Sequence, residues 1–459
     1  MKEFEYLDRF IFDKISESKL PSMSIAAIKN DEIAYKKAFG FRDLSKGLPA
    51  TSETLYCIGS VTKSFTCLAV MKLHEEGLLN VEDRADKFLP FKLEVKQEPV
   101  KIWHLMSHSS GIPALAYAEA VIRSTMKSAD RWLPMVGYDS MFTFMDEADS
   151  WSHCKPGERW FYLNEGYILL GYIIEKVSGE SYISYVKSKI LKPLGMTRSY
   201  FRKEEIDLDP NVAVPYIITK EGERIPSTYP YGTILSDGGL VSNVEDMARY
   251  IIMYLNNGVY KGVRLISEDS IGEMIKPKVK TPDEPFISDY IRYYGYGLGI
   301  NSNFFGYDLI NHGGSVSTAT AYMGFIPAKK VGVMILANGT GYPLNYIGEY
   351  ALALLLEEDP DNLPIFKYEK IQRELEGIYE TYKATMRTKV FSRGSLLTLE
   401  IGDKYRDLSI PLVPIDWKSP IKVFQGISMD RKISAEFYKQ GNDTYLIYER
   451  YKMKKVGKI

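Results

Sequence analysis

The 459-residue sequence predicts an α+β protein of two domains, one over residues 1–360 and a small antiparallel β-barrel over 361–459. Three observations carry this reading. The length exceeds what one hydrophobic core usually organises. Helical stretches and hairpins are interspersed through the first 350 residues. The acidic, proline-punctuated stretch Glu357-Glu358-Asp359-Pro360-Asp361-Asn362-Leu363-Pro364 then reads as a linker, and short alternating segments follow it.

Taken in order, residues 3–18 predict a first helix. Residues 23–28 and 33–35 predict a hairpin around Lys29-Asn30-Asp31. Residues 61–76 predict a helix apolar nearly all round (Phe65, Leu68, Ala69, Val70, Met71, Leu73), ending before Gly77, and such a helix belongs in the core. Residues 114–150 read as irregular and carry Met126, Met135, Met141, Met145 and Trp132. That composition suits an inserted cap near a cleft, and it suits adaptable core packing equally well. Further helices are expected at 165–176 and 244–256, and strands at 318–326 and 331–337 around the turn Pro327-Ala328-Lys329-Lys330. Residues 376–455 alternate in short runs such as 396–401 and 445–448, with turns at Gly402-Asp403 and Gln440-Gly441-Asn442-Asp443. Closing them into a barrel removes exposed strand edges.

Lys plus Arg number 58 against 59 acidic residues, so the net charge is near zero. That balance argues against a nucleic-acid binder or a membrane-surface protein and mildly favours self-association. Cys57, Cys67 and Cys154 are odd in number and lack metal-like spacing, so reduced thiols are expected, with no metal and no cofactor. The acidic, amphipathic N-terminus is not a signal peptide, and no apolar run reaches the ~20 residues that span a bilayer. A cytoplasmic protein is expected.

Three short motifs could carry chemistry. Ser60-Val61-Thr62-Lys63 places a hydroxyl and an amine on one face at the start of the apolar helix. A serine hydroxyl is a weak nucleophile until a neighbour takes its proton, which a lysine withdrawn from water is able to do. The helix start also offers N–H groups to a developing oxyanion. The same Ser-x-x-Lys spacing begins at Ser16, Ser124, Ser152, Ser184 and Ser419, so context alone distinguishes Ser60. Tyr162-Leu163-Asn164 follows a Pro156-Gly157 turn and precedes a helix; it supplies a phenol for proton relay and an amide for a substrate carbonyl. That spacing too recurs, at Tyr254-Leu255-Asn256. His312-Gly313-Gly314 could let substrate backbone approach, with an N–H from Ser315 next to it.

Together and in this order, the three motifs resemble the penicillin-binding, class C β-lactamase-like serine hydrolases. Residues 56–65 and 104–113, together with Gly239-Leu240-Val241-Ser242, Tyr296-Gly297-Leu298-Gly299 and 312–338, extend the likeness over roughly residues 10–350. The resemblance implies a β-lactamase/DD-peptidase-like catalytic domain, with a sheet flanked by helices and a helical subdomain. It implies an acyl-enzyme on Ser60, Lys63 as activator, Tyr162 as proton relay and Asn164 as substrate anchor. Ser60 and Ser315 N–H groups would form the oxyanion hole beside Gly313 and Gly314. Whether Lys63 or Tyr162 takes the first proton stays open. His312 stands where β-lactamases carry lysine, which lowers the expectation of antibiotic hydrolysis and suggests a residue titrating near neutral pH. In character the chain is most similar to the archaeal CubicO-type peptidases, and residues 375–382 at the barrel's opening support that comparison. These peptidases favour D-amino-acid substrates, carry a lipocalin-like barrel and assemble as a hollow octamer. The resemblance therefore implies short peptide substrates and self-association, with no nucleic-acid or membrane partner.

Two further readings stand beside the peptidase. An esterase would use the same residues, since the distinction lies in pocket shape. A catalytically silent module would use the barrel as a ligand cup. His104 and His108, four residues apart, could face a zinc ion, but no third ligand is evident and packing is favoured. His74 and His153 read as ordinary surface or boundary residues.

Overall fold

Helix α1 (Lys2–Ser18) leads into strand β1 (Ser22–Lys29) and its antiparallel partner β2 (Glu32–Asp43), close to the predicted helix and hairpin. The computed structural model describes all residues except Met1, 128–132, 232–233, 283–286, 288–289, 403–404, 406 and 429–430. The chain divides into two units, Met1–Glu284 with Tyr290–Glu358 and Pro285–Asp289 with Asp359–Ile459.

In the first unit, α2 (Thr62–Glu75) is buried along nearly its whole length, as its lack of a polar stripe requires. Its polar residues are satisfied locally: Ser64 Oγ donates to Val61 O at 2.8 Å and Thr66 Oγ1 to Ser236 O at 2.5 Å. The described residues within 114–150 are not all irregular. Among them are α3 (Tyr117–Thr125) and α4 (Tyr138–Met145), because Tyr117, Ala118 and Val121 make one apolar face and Met141 and Met145 another. Met141 and Met145 are therefore core residues, while Trp132 lies outside the described residues. Next come α5 (Asn164–Ser178), closed by Gly179 in a left-handed cap, and α6 (Val244–Leu255), opened by the Asn243 side chain accepting from Glu245 N and Asp246 N. Strands β3 (Gly299–Phe304), β4 (Tyr307–Ser315), β5 (Thr320–Ile326) and β6 (Val331–Ala337) follow, with α7 (Leu344–Leu355) behind them.

These strands form an antiparallel nine-stranded sheet in the order Val279–Lys280, Arg292–Tyr294, β3, β4, β5, β6, β1, β2, Leu48–Pro49. Both faces of its centre are covered. A Cβ on Gly332 would meet Ile251 of α6 at 2.5 Å, whereas one on Gly348 of α7 would meet Tyr322 at 2.3 Å and Val333 at 3.4 Å. Residues 332 and 333 point to opposite faces, so α6 and α7 lie on opposite sides. That explains why β1, up to its last residue, and β6 are continuously buried rather than alternating.

The second unit departs from the sequence reading at its start. The supposed linker holds a 3-10 turn (Pro360–Asn362) and leads directly into α8 (Pro364–Leu375), with Pro364 at a position where its missing N–H costs nothing. Eight antiparallel strands from Gly377 to Gly457 then close into a barrel. Inward positions such as Val390, Leu399, Leu412, Phe424, Phe437 and Leu446 are fully buried in one cluster. The barrel is thus filled by its own side chains, which removes support for the ligand-cup reading. The expected turn at Gly402-Asp403 falls partly outside the described residues, since Asp403 is not among them.

Candidate active site

Ser60 lies in a short 3-10 turn, Gly59–Val61, that runs directly into α2. Lys63 in the first turn of α2 is fully buried, and its ammonium donates to Ser60 Oγ at 3.1 Å, Asn164 Oδ1 at 2.8 Å and Asp237 O at 2.8 Å. Asn164 opens α5, and Asp237 belongs to the loop leading to Gly239-Leu240-Val241-Ser242. Two of the three acceptors are carbonyl oxygens, which only accept. They fix two amine hydrogens, so a neutral Lys63 would turn its lone pair toward the Ser60 hydroxyl. The same contact makes Asn164 present its oxygen to Lys63 and leaves its Nδ2 to donate elsewhere.

Aromatic rings wall the amine. Tyr162 and Tyr167 have centroids 4.9 and 5.3 Å from Lys63 Nζ. Tyr162 packs tilted against His108 with ring centroids 4.1 Å apart, and His108 Nδ1 accepts from Leu163 N at 2.9 Å, holding the Tyr162–Asn164 segment by its backbone. Burial, with Lys63 nearby, keeps His108 well below the usual histidine range. His104 Nδ1 accepts from Lys101 N at 3.0 Å. Both histidines therefore spend a ring nitrogen on backbone, and the zinc reading gains nothing. Among the described residues no group of three His, Cys, Asp or Glu is arranged to hold a metal.

His312 differs from its expectation. Its Nδ1 lies 2.6 Å from Gly313 O, which only accepts, so Nδ1 carries the proton. Its Nε2, 2.8 Å from the Tyr294 hydroxyl, then accepts. Burial and the charge of Lys63 hold the ring down to about 4, so it is neutral near pH 7 and does not titrate there. The glycines also divide their roles. Nothing lies within 4 Å of a Cβ on Gly313, leaving open space, whereas a Cβ on Gly314 would meet Ile58 O at 2.0 Å. Gly59, at φ +53°, similarly would meet Ser315 N at 2.8 Å. The two backbones touch, and this brings the Ser315 amide alongside the Ser60 turn. A cavity of about 1060 Å³ opens here, walled by Ser60, Tyr162, Asn164, His312, Gly313 and Ser315.

Two other occurrences of the Ser-x-x-Lys spacing and the second Tyr-x-Asn lack this assembly. At Ser184 the lysine pairs with Glu205, and at Ser152 it pairs with Glu98. In Tyr254-Leu255-Asn256 the tyrosine hydroxyl meets Tyr250 in the core and the amide reaches Asp31. Cys57 and Cys67 are buried free thiols, pushed up to about 12 by burial, and Cys154 is also free. Sequence reasoning missed Asp237, Tyr117 and Tyr294, and it favoured packing for His108 without placing it beside the site. Asp237 stands two residues before the Gly239-Leu240-Val241-Ser242 motif, which was the available signal.

An antiparallel sheet flanked by helices, with a Ser-x-x-Lys turn meeting its glycine-bearing strand, defines a β-lactamase/penicillin-binding-protein-like serine hydrolase fold. The chain belongs to the beta-lactamase family, whose model matches residues 7–357, and residues 360–454 match the Pab87 octamerisation domain. Protein flp of Staphylococcus aureus (strain N315) is 27% identical over 347 residues, covering 73% of this chain and 63% of that protein. Penicillin-binding protein 4* of Bacillus subtilis (strain 168) is 31% identical over 251 residues, 52% of this chain and 53% of that protein. The chain thus spans less than two thirds of the length of these curated relatives. The octameric penicillin-binding protein homologue from Pyrococcus abyssi superposes with a TM-score of 0.91 at 45% identity, over 98% of this chain and 99% of that one. The penicillin-binding protein from Bacillus halodurans gives 0.59 at 24% identity, over 76% and 98%, a likeness of fold alone. No helix among the described residues is long and apolar enough to cross a membrane.

Proposed function

We propose that this chain is a serine peptidase acting on short peptides through an acyl-enzyme on Ser60, with a preference for D-amino acids, inside a self-compartmentalising octamer. The observation that carries the catalytic part is the Lys63 amine, pinned by two carbonyls and aimed at Ser60 Oγ at 3.1 Å. In this reading Ser60 Oγ bonds to the substrate carbonyl carbon while its proton passes to Lys63 or Tyr162. The Ser60 and Ser315 N–H groups hold the oxyanion, Asn164 and the open edge at Gly313 hold the substrate, and neutral His312 braces the wall. The C–N bond then breaks, the leaving amine takes the proton, and water hydrolyses the ester.

The octamer is supported by the octamerisation-domain match and by likeness to the octameric P. abyssi protein. Peptide size and D-selectivity rest on the resemblance to the CubicO-type peptidases. Matched D- and L-containing short peptides and a simple ester, incubated beside a Ser60→Ala blank and read by mass spectrometry, test it. Serine-dependent cleavage of the D-peptides is the expected result; cleavage of the ester alone would move the protein to the esterase reading. A truncation ending at Glu358 is expected to form smaller particles and accept longer peptides. Unchanged particle size and length limit would remove the barrel from both roles.

A further inference from the structure

Behind Lys63 lies a polar arrangement that the proposed steps leave unused. Asp237 is 2% exposed, and only its backbone carbonyl serves Lys63 directly. Among the described residues its side chain takes one hydrogen bond, from the Tyr117 hydroxyl to Oδ2 at 2.8 Å, and Oδ1 is buried with no partner. Tyr117 is itself anchored: it opens α3, and its backbone N–H donates to Glu165 Oε1 at 3.0 Å. Glu165 is the residue after Asn164, so the same short stretch of α5 holds both Lys63 and the tyrosine that holds Asp237.

A half-satisfied buried carboxyl is costly and would be expected to give way to a neutral residue unless its charge serves something. The charge nearest in kind is the Lys63 ammonium. Burial raises the Asp237 carboxyl and the charge of Lys63 opposes that rise. Among the described residues, the other titratable groups that interact with it include Cys57 beside the nucleophile turn, Tyr117 and Glu119 of α3, Glu165 of α5, and Tyr182. None of these others is a cation. Burial holds Tyr117 well above the usual phenol range, so it stays neutral, and takes Glu165 up to about 7, so Glu165 is only partly ionised at neutral pH.

We infer that Asp237 is a positioning residue of the Ser60–Lys63 pair: its carboxylate, held by Tyr117, acts as counter-charge to the Lys63 ammonium and so governs when Lys63 can take the proton of Ser60. An ionised Asp237 favours the ammonium, which has no lone pair to offer. A protonated Asp237 releases the amine to act as base. The carboxyl thereby couples the reactivity of Ser60 to pH. This rests on the proposed role of Ser60 and Lys63.

The test is the rate at which a fluorophosphonate, a serine-directed phosphonylating probe, labels the full-length protein between about pH 5 and 9. Asp237→Asn keeps the shape, the backbone carbonyl and an acceptor for Tyr117, and removes the charge. Its acid limb is expected to move down by about one pH unit, seen as roughly tenfold faster labelling at a fixed pH on that limb. Should that variant not fold, Asp237→Ser, smaller and equally neutral, is expected to shift the limb the same way. A merely structural Asp237 would lower the plateau rate or the melting temperature and leave the limb in place, and a stationary limb overturns the inference. Ser60→Ala is run alongside. If it labels as fast as wild type, the assignment of the nucleophile has failed; if it is silent and the Asp237 limb has not moved, only the present inference has.

Discussion

Ser60→Ala is expected to lower turnover of any substrate the protein accepts by a factor on the order of 10⁴ or more. Among the described residues the hydroxyl is the one hydrogen-bond partner of the buried Lys63 amine besides two carbonyl oxygens, at 3.1 Å against 2.8 Å for each of those. Removing it leaves the amine aimed at nothing able to attack. Lys63→Met should cost a comparable factor, because an unassisted hydroxyl stays protonated. It should also lower the melting temperature, since Asn164 Oδ1 and Asp237 O lose their donor in a buried place, at about 1–3 kcal/mol for each unsatisfied group. Because the two act as one unit, the double variant should be little worse than either single one. Steady-state rates for the three variants check this. Losses that multiply in the double variant would show that Ser60 and Lys63 work independently.

Gly314→Ala should be nearly as damaging, for a purely steric reason. The added Cβ would lie 2.0 Å from Ile58 O, so β4 and the backbone before Ser60 must part by more than about 1 Å to restore contact distance. That separates the Ser315 amide from the Ser60 turn. Loss of one oxyanion donor costs about 10²–10³ in rate, and the overpacked junction costs about 1–3 kcal/mol of stability. Gly313→Ala is the control. Its Cβ meets nothing within 4 Å, so its melting temperature should match wild type. Labelling rate and thermal melts of both variants decide the matter; a Gly314→Ala protein as active and stable as the parent would mean the junction is not needed.

Much of this site could be read before folding was considered, and the reason is local. Ser60 and Lys63 are three residues apart, and Tyr162 and Asn164 two apart, so helix and loop geometry alone bring each pair to one side. The buried helix α2, the first hairpin and the strands 320–326 and 331–337 followed from apolar patterning of the same short range. Residues 114–150 were misread because scattered methionines and one tryptophan mask two short amphipathic helices. Helix α8 was hidden by the prolines and acids before it, which signal a break and here also start a helix.

Sequence by itself determined which residues have the chemistry: a serine with a lysine one turn on, a tyrosine–asparagine pair, and a histidine before two glycines. Tertiary structure alone decided what those residues experience. The three acceptors on Lys63 come from positions 60, 164 and 237, and the contact that aligns Ser315 with Ser60 joins segments some 250 residues apart. His312 shows the difference most directly. Its identity suggested a group titrating near neutral pH, and burial between Tyr294 and its own strand instead holds it at about 4. Identity sets which proton a side chain can carry; the solvent and charges removed or supplied by folding set when it carries it.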